Sequence, residues 1–346
     1  MRRRLAKPAL ALTSFMVTFL ALEVGTRATK GEWRPENFLV GELSWFWAAF
    51  PTRYDPELGW APQVGSYGLE GSWGAGVTVL DSGVRSNGSD PPASEGVGPV
   101  VAVGDSFTWG AEVGDHQTWP ALLERRLGSP VINGGVFGFG VDQSYLRSLR
   151  LIEEFEPRIL ILSFIPDDVA RCELSVRAGT SKSYFTGDQG RLELHPPAPA
   201  SEAPRIGIFR RLTGYSFFLY KLLRRTVPQL YLSGGLDETA ARGSGSRIVC
   251  ELFARLAATT NRRDIELLVI LQDGGPLDTG GRQADVTGPE ECLAKLDWRF
   301  LNLRRELREM ATQSPDRYAS LFAEHMTPAG NDWVAQRVAE TIRGGL

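Results

Sequence analysis

From residue 98 onward the apolar positions fall into short, nearly unbroken blocks. Residues 99–103 (PVVAV), 131–132 (VI), 158–164 (RILILSF) and 266–271 (ELLVIL) lack an alternating polar face. Strands read this way when both faces of their sheet are covered. Between these blocks the apolar period changes to that of a helix. Residues 118–127 are one such stretch. A second begins at Asp142, placed as its cap, and carries Tyr145, Leu149, Ile152 and Phe155. A third, 249–258, sets Val249, Leu252, Phe253 and Leu256 on one face, and 296–310 forms a charged amphipathic helix. The last helix, with Val334, Val338 and Ile342, starts at Thr327 as N-cap and Pro328 as its first residue. Strands alternating with helices predict an α/β domain with a parallel sheet over 98–346.

Three regions depart from this rhythm. Residues 172–246 hold a Pro-rich piece (195–204), an aromatic amphipathic helix (206–223) and a Gly/Ser tail (243–246). They form an insertion that either shapes a substrate cleft or elaborates the surface. Residues 54–97 are rich in Gly, Ser and Pro and predict short strands and turns. Together with the aromatic stretch containing Trp33, Trp45, Phe46, Trp47 and Phe50, they make a lead-in segment over 31–97. Those aromatics suit either a membrane interface or the surface of the domain. At the chain start, Arg2, Arg3, Arg4 and Lys7 precede an apolar run over 8–24. A basic flank before an apolar run is a signal peptide or a signal anchor. No clean cleavage site follows, so residues 1–30 are expected to be an uncleaved single-pass membrane helix. The arginines would stay cytoplasmic and the rest would be extracytoplasmic, in the periplasm.

Composition narrows the function. In 346 residues, 42% are hydrophobic and 23% charged, enough for a sizeable core, and the net charge is −3. That balance gives no basic face for nucleic acid. The three cysteines (Cys172, Cys250, Cys292) form no C-x-x-C pair, and no metal site is expected. They allow one disulfide with a free thiol, or three thiols. No cofactor is expected either, because the glycine-rich stretch at 133–140 does not have G-x-G-x-x-G spacing.

The candidate chemistry lies at strand ends. The first block runs into Val103-Gly104-Asp105-Ser106-Phe107-Thr108-Trp109-Gly110. Ligands bind at the C-terminal ends of strands in open α/β sheets, and a serine there needs a positioned base. The second block runs into Asn133-Gly134-Gly135-Val136-Phe137-Gly138, whose backbone can approach a ligand and donate to an oxyanion. Of three histidines, His116 follows the first motif and His195 sits in the Pro-rich piece. His325 lies just before the capped last helix, a setting that holds a base in place.

In order and spacing these residues resemble the SGNH (GDSL-type) hydrolase family, in the form of its membrane-anchored, exported bacterial members. Gly104-Asp105-Ser106 matches the first block, Asn133 to Gly138 the second, and His325 with the following Met-Thr-Pro-Ala-Gly-Asn the last. Tyr54-Asp55-Pro56-Glu57-Leu58-Gly59-Trp60 resembles the lead-in of exported members. The resemblance implies a three-layer α/β/α flavodoxin-like fold, with Ser106 as nucleophile and His325 as base. It implies an oxyanion hole from the amides of Ser106 and Gly138. The third block places Asp167 where the family has an oxyanion-binding Asn, and Phe322 where it has an Asp preceding the histidine. Burial beside Asp168 would raise the Asp167 pKa and let it donate as a neutral acid; otherwise it has a charge-dependent role. With Glu324 adjacent to His325 and pointing elsewhere, a Ser-His dyad is expected, its imidazole oriented by a backbone carbonyl or by an acid distant in sequence. The implied activity is hydrolysis or O-acyl transfer on an extracytoplasmic ester, such as an O-acetyl group of a glycan. The alternatives are a lipase-like carboxylesterase with the insertion helix as a lid, and a non-catalytic envelope-binding module.

Overall fold

The computed structural model describes residues 2–35, 37–38, 51–68, 76–88, 98–188, 191–199, 208–227, 237–275, 285–295 and 299–344. Its centre is a sheet of five parallel strands: β1 (Val100–Val103), β2 (Val131–Asn133), β3 (Ile159–Phe164), β4 (Glu266–Leu271) and β5 (Arg299–Asn302). The order is β2-β1-β3-β4-β5, and every neighbouring pair is parallel. This is the flavodoxin-like order, with its reversal of direction between β1 and β3.

The helices are α1 (Arg2–Lys30), α2 (Ser106–Trp109), α3 (Trp119–Leu127), α4 (Val141–Phe155), α5 (Pro166–Arg171), α6 (Ile208–Thr213), α7 (Phe217–Thr226), α8 (Gly245–Arg262), α9 (Thr287–Lys295), α10 (Leu303–Gln313), α11 (Pro315–Ser320) and α12 (Pro328–Arg343). Alternate strand residues feed opposite layers. Val101, Val103, Leu160, Leu162, Val269 and Leu271 pack with residues of α4 and α8 such as Leu151, Leu252 and Phe253. Val100, Ala102, Ile161, Leu268 and Ile270 pack with Leu123 of α3, Leu307 of α10 and Val334 and Val338 of α12. Two covered faces explain why β1 and β3 are buried along their whole length.

Four expectations change. The helix placed over 296–310 begins only at Leu303, because residues 299–302 pair with β4 as an edge strand and the Asn302 side chain caps the helix at Arg305 N. Asp142 is not a cap; the N-cap residue is Gly140. The buried Asp142 carboxylate instead pairs with buried Lys182 of the insertion and accepts from Gln143 N. Burial pushes its pKa up while Lys182 opposes that rise. The aromatic helix of the insertion breaks into α6 and α7, where Ser216 caps α7 through Leu219 N.

The fourth concerns the chain start. α1 is one 29-residue helix, but no helix among the described residues is long and apolar enough to cross a membrane. Its C-terminal half carries Glu23, Arg27 and Lys30, and Glu23 is engaged within the fold. Its carboxylate accepts from Ser216 Oγ (2.7 Å) and from the amides of Phe217 and Phe218 (2.9 Å each), so it caps α7. Of the lead-in aromatics, Trp33 is exposed, and Trp45, Phe46, Trp47 and Phe50 lie outside the described residues. Residues 52–67 and 77–79 form two short antiparallel hairpins, as the turn-rich composition predicts. Cys250 of α8 and Cys292 of α9 are joined in a disulfide, with Cα atoms 5.9 Å apart, and Cys172 is a buried free thiol.

Candidate active site

Ser106 is the first residue of α2, immediately beyond β1. Two features create this sharp strand-to-helix turn. Gly104 has φ +157°, and a Cβ there would lie 2.4 Å from both Ser163 O and Thr108 Oγ1, so the turn closes only with glycine. Asp105 then caps the helix by accepting from Phe107 N at 2.9 Å. The second glycine-rich loop follows β2 and places Gly138, with φ +74°, in the left-handed region that glycine favours. Neither the Ser106 nor the Gly138 amide donates to an acceptor among the described residues.

His325 is brought 219 positions back along the chain to this turn, with Nε2 at 3.0 Å from Ser106 Oγ. Its loop is pinned on both sides. Phe322 and Met326 bridge across it, and Ala323 N donates to His325 O. Thr327 caps α12 through Gly330 N, and Asn331 accepts from Trp119 N while donating to Met326 O and Thr327 O. The imidazole is buried between the rings of Phe107 and Phe137, at 5.2 and 6.0 Å. His116 sits in a 3₁₀ turn at 115–117, and His195 bonds Thr186 within a hairpin of the insertion.

Behind His325 stands Glu112, which the sequence reading did not single out. Its Oε1 is 3.4 Å from His325 Nδ1, and its Oε2 accepts from His325 N at 3.2 Å. Burial would raise this carboxyl, but the His325 ring, the His325 amide and the Glu324 amide hold it below the usual glutamate value. Glu112 adopts φ +69°, which is costly for a residue with a Cβ and is typical of strain kept at functional sites. The buried Arg85 side chain bonds to the loop on both sides of Glu112. It donates to Trp109 O, Gly110 O and Val113 O, and pairs with Asp115 at 2.9 Å. Of the two expected partners for the imidazole, a backbone carbonyl or a distant acid, the structure places an acid at Nδ1. The signal was the Glu in Gly110-Ala111-Glu112-Val113-Gly114, just after the nucleophile turn. Phe322, at the family's acid position, is buried with Tyr318, Leu321 and Met326.

Asp167 does not behave as a buried neutral acid. Its side chain is 52% exposed and pairs with Arg171 at 2.7 Å. The Arg171 charge, with Arg177 adding to it against some desolvation, holds the carboxyl below its usual value. The raised pKa expected from burial beside Asp168 is overturned, because an arginine one turn along α5 dominates. It is Asp168 that is pushed well up, by burial and by the Asp105 charge, with Arg171 between them opposing. Asp105 is itself raised by burial, again against Arg171. One guanidinium thus ties Asp105, at 3.4 Å, and Asp168, at 2.5 Å, beside the turn that carries Ser106. Among the described residues no group of three His, Cys, Asp or Glu side chains is placed to hold a metal ion.

No protein-family model matches the chain, and no curated protein does. Solved structures similar to it include TesA, at 14% identity and TM-score 0.41, covering 72% of this chain and 99% of that one. A lipolytic protein of the G-D-S-L family from Desulfitobacterium hafniense is 12% identical, with TM-score 0.38, covering 70% of this chain and 98% of that one. The acetyl xylan esterase AlAXEase is 10% identical, with TM-score 0.41, covering 70% of this chain and 99% of that one. At such identities and scores the likeness adds no argument about chemistry, which rests on the site itself.

Proposed function

We propose that this chain is an SGNH-type serine esterase working through an acyl-enzyme on Ser106, with His325 as base and Glu112 as the acid that orients it. The observation that carries the reading is the 3.0 Å contact from His325 Nε2 to Ser106 Oγ, with Glu112 on the opposite ring nitrogen. A carboxylate at Nδ1 selects the tautomer protonated there and leaves the Nε2 lone pair facing the serine hydroxyl. His325 takes the Ser106 proton as Oγ attacks the ester carbonyl. The amides of Ser106 and Gly138 bind the oxyanion, each such donor contributing about 3 kcal/mol in comparable enzymes. The imidazolium returns its proton to the leaving alcohol, and water resolves the acyl-enzyme with His325 again as base. Asp167, ionised by Arg171, supplies no third donor. A sugar hydroxyl replacing water would make the same site an O-acyltransferase.

The substrate in this reading is a small ester outside the cytoplasm, such as an O-acetyl group of a cell-envelope or exported glycan. The basic flank and apolar run of residues 1–24 support export with retention at the membrane. The Cys250–Cys292 disulfide suits an oxidising compartment. The test is labelling of the purified chain by a fluorophosphonate probe, followed by turnover of p-nitrophenyl esters of increasing acyl length. Labelling should vanish in Ser106→Ala, and acetyl should be preferred. A wild-type chain that resists the probe and turns over no ester sinks the enzyme and leaves a binding module. A preference for long chains sinks the acetyl substrate. Free Cys250 and Cys292 thiols in intact cells would sink the export.

A further inference from the structure

We infer that α1 and the insertion helices α6 and α7 form one lipid-facing platform, in which residues 208–227 lie on the surface of an anionic bilayer beside α1. The two parts are physically one. Glu23 caps α7 through Ser216, Phe217 and Phe218, Phe19 meets Phe218 edge-on at 6.2 Å, and Arg27 donates to Tyr215 O at 3.2 Å. Together they hold most of the exposed large hydrophobics of the described chain. Phe15 is 69% exposed, Leu20 62%, Ile208 79%, Phe209 67% and Leu212 65%. So many exposed apolar side chains gathered on joined helices mark an interaction site.

Charge selects the occupant. Residues 208–227 contain five Lys or Arg and no Asp or Glu, in a chain whose net charge is −3. The one carboxylate that α1 turns toward them, Glu23, is paired with Arg27 at 2.5 Å and used up in the cap. A helix that interleaves basic and apolar residues without acids suits anionic phospholipid headgroups, with its apolar side in the acyl boundary. A second copy of the chain fits poorly, since a two-fold contact would set this basic face against itself. The platform is independent of the catalytic reading. It adds the insertion, which the sequence places far from the N-terminus, to the surface that meets lipid.

The test uses the full chain carrying Leu212→Cys, labelled with an environment-sensitive fluorophore. The native cysteines are disulfide-bonded or buried. The label should shift to the blue on vesicles of phosphatidylcholine with phosphatidylglycerol, and be quenched by doxyl groups on the acyl chains. The triple variant Lys221→Glu, Arg224→Glu, Arg225→Glu should weaken that response by at least about tenfold, given the usual contribution of each basic residue at an anionic surface. Retained ester turnover or unchanged circular dichroism would show the variant folded. A label at 212 that stays water-like, while one at Ser14→Cys reports lipid, overturns the inference and leaves α1 as the lipid contact without the insertion. A blue shift without vesicles also overturns it. If concentration-dependent, a second copy occupies the face; if not, another segment of the chain does.

Discussion

Replacing Glu112 by Gln removes the charge behind His325 while keeping the size of the side chain. The carboxylate oxygen lies 3.4 Å from Nδ1 and its side chain is 20% exposed, so the site is partly wetted. At an effective dielectric of about 20, a unit pair at such a separation interacts by roughly 5 kcal/mol, and solvent screening reduces that to about half. Loss of about 2–3 kcal/mol from the imidazolium-bearing transition state corresponds to a fall in kcat of about 30- to 200-fold. KM should hardly move, because Glu112 touches His325 and not the ester. The assay is steady-state hydrolysis of p-nitrophenyl acetate by wild type, Glu112→Gln and Glu112→Ala, with the folded fraction measured by thermal melting. A further variant separates chemistry from strain. Glu112→Gly also loses the carboxylate, but it relieves the φ of +69°. It should be about 1 kcal/mol more stable than Glu112→Ala and equally inactive. Wild-type kcat in Glu112→Gln would refute the assignment. So would a loss confined to KM, or one that vanishes when corrected for unfolded protein.

Three other outcomes are expected. Gly104→Ala should destabilise by at least about 2 kcal/mol and abolish turnover, since its Cβ would lie 2.4 Å from Ser163 O and Thr108 Oγ1; a soluble, active variant in a melting and turnover assay would refute the close approach. Asp167→Asn should leave stability near neutral pH within about 1 kcal/mol, because the carboxylate is half-exposed. Its pKa is lowered by Arg171, so its stabilisation is present above the ordinary Asp range and is lost as pH falls through the lowered value. The variant should therefore lose less stability on acidification than wild type, and should retain or gain turnover. Equal acid melting curves would remove the Arg171 pairing from the account. Cys250→Ala with Cys292→Ala should lose about 4 kcal/mol, from a closed loop of 42 residues and the chain-entropy estimate, read by urea denaturation. An unchanged midpoint would mean that the loop is already ordered in the unfolded chain.

The sheet was legible in the sequence because four of its strands, the three inner ones and the edge strand β2, are short runs of apolar residues, as burial on both faces requires. The fifth escaped because Arg299-Phe300-Leu301-Asn302 is an edge strand, partly exposed throughout. Its mixed pattern merges with the amphipathic period of α10. The proposed nucleophile and base were legible for a different reason. Ser106 and His325 sit at a strand end and before a helix start, and both places announce themselves through glycine, capping threonine and proline. Glu112 has no such announcement. Its role depends on a φ that no local residue preference favours, in a loop bonded by an arginine 27 positions upstream.

That dependence carries the argument one step further. The loop from Trp109 to Asp115 holds its shape through Arg85, whose backbone amide also bonds Asn133 O at the end of β2. The same lead-in segment sends Trp60 Nε1 to Phe137 O at 3.0 Å, and its Leu58 O accepts from Gln143 Nε2 at 2.8 Å. Both contacts fall on the loop that carries Gly138 or on the helix that follows it. Residues 58–85 thus brace the acid loop and the oxyanion loop from one side, while α12 and Asn331 brace the base from the other. Phe322 is built into the core against Gly275, where a Cβ would lie 2.5 Å from that ring, among Tyr318, Leu321 and Met326. Glu112, by contrast, is held below the usual glutamate value and lies 3.4 Å from Nδ1. In the proposed mechanism the 109–115 loop must stay rigid, which makes the Arg85 contacts to Trp109, Gly110, Val113 and Asp115 a condition of the base's orientation.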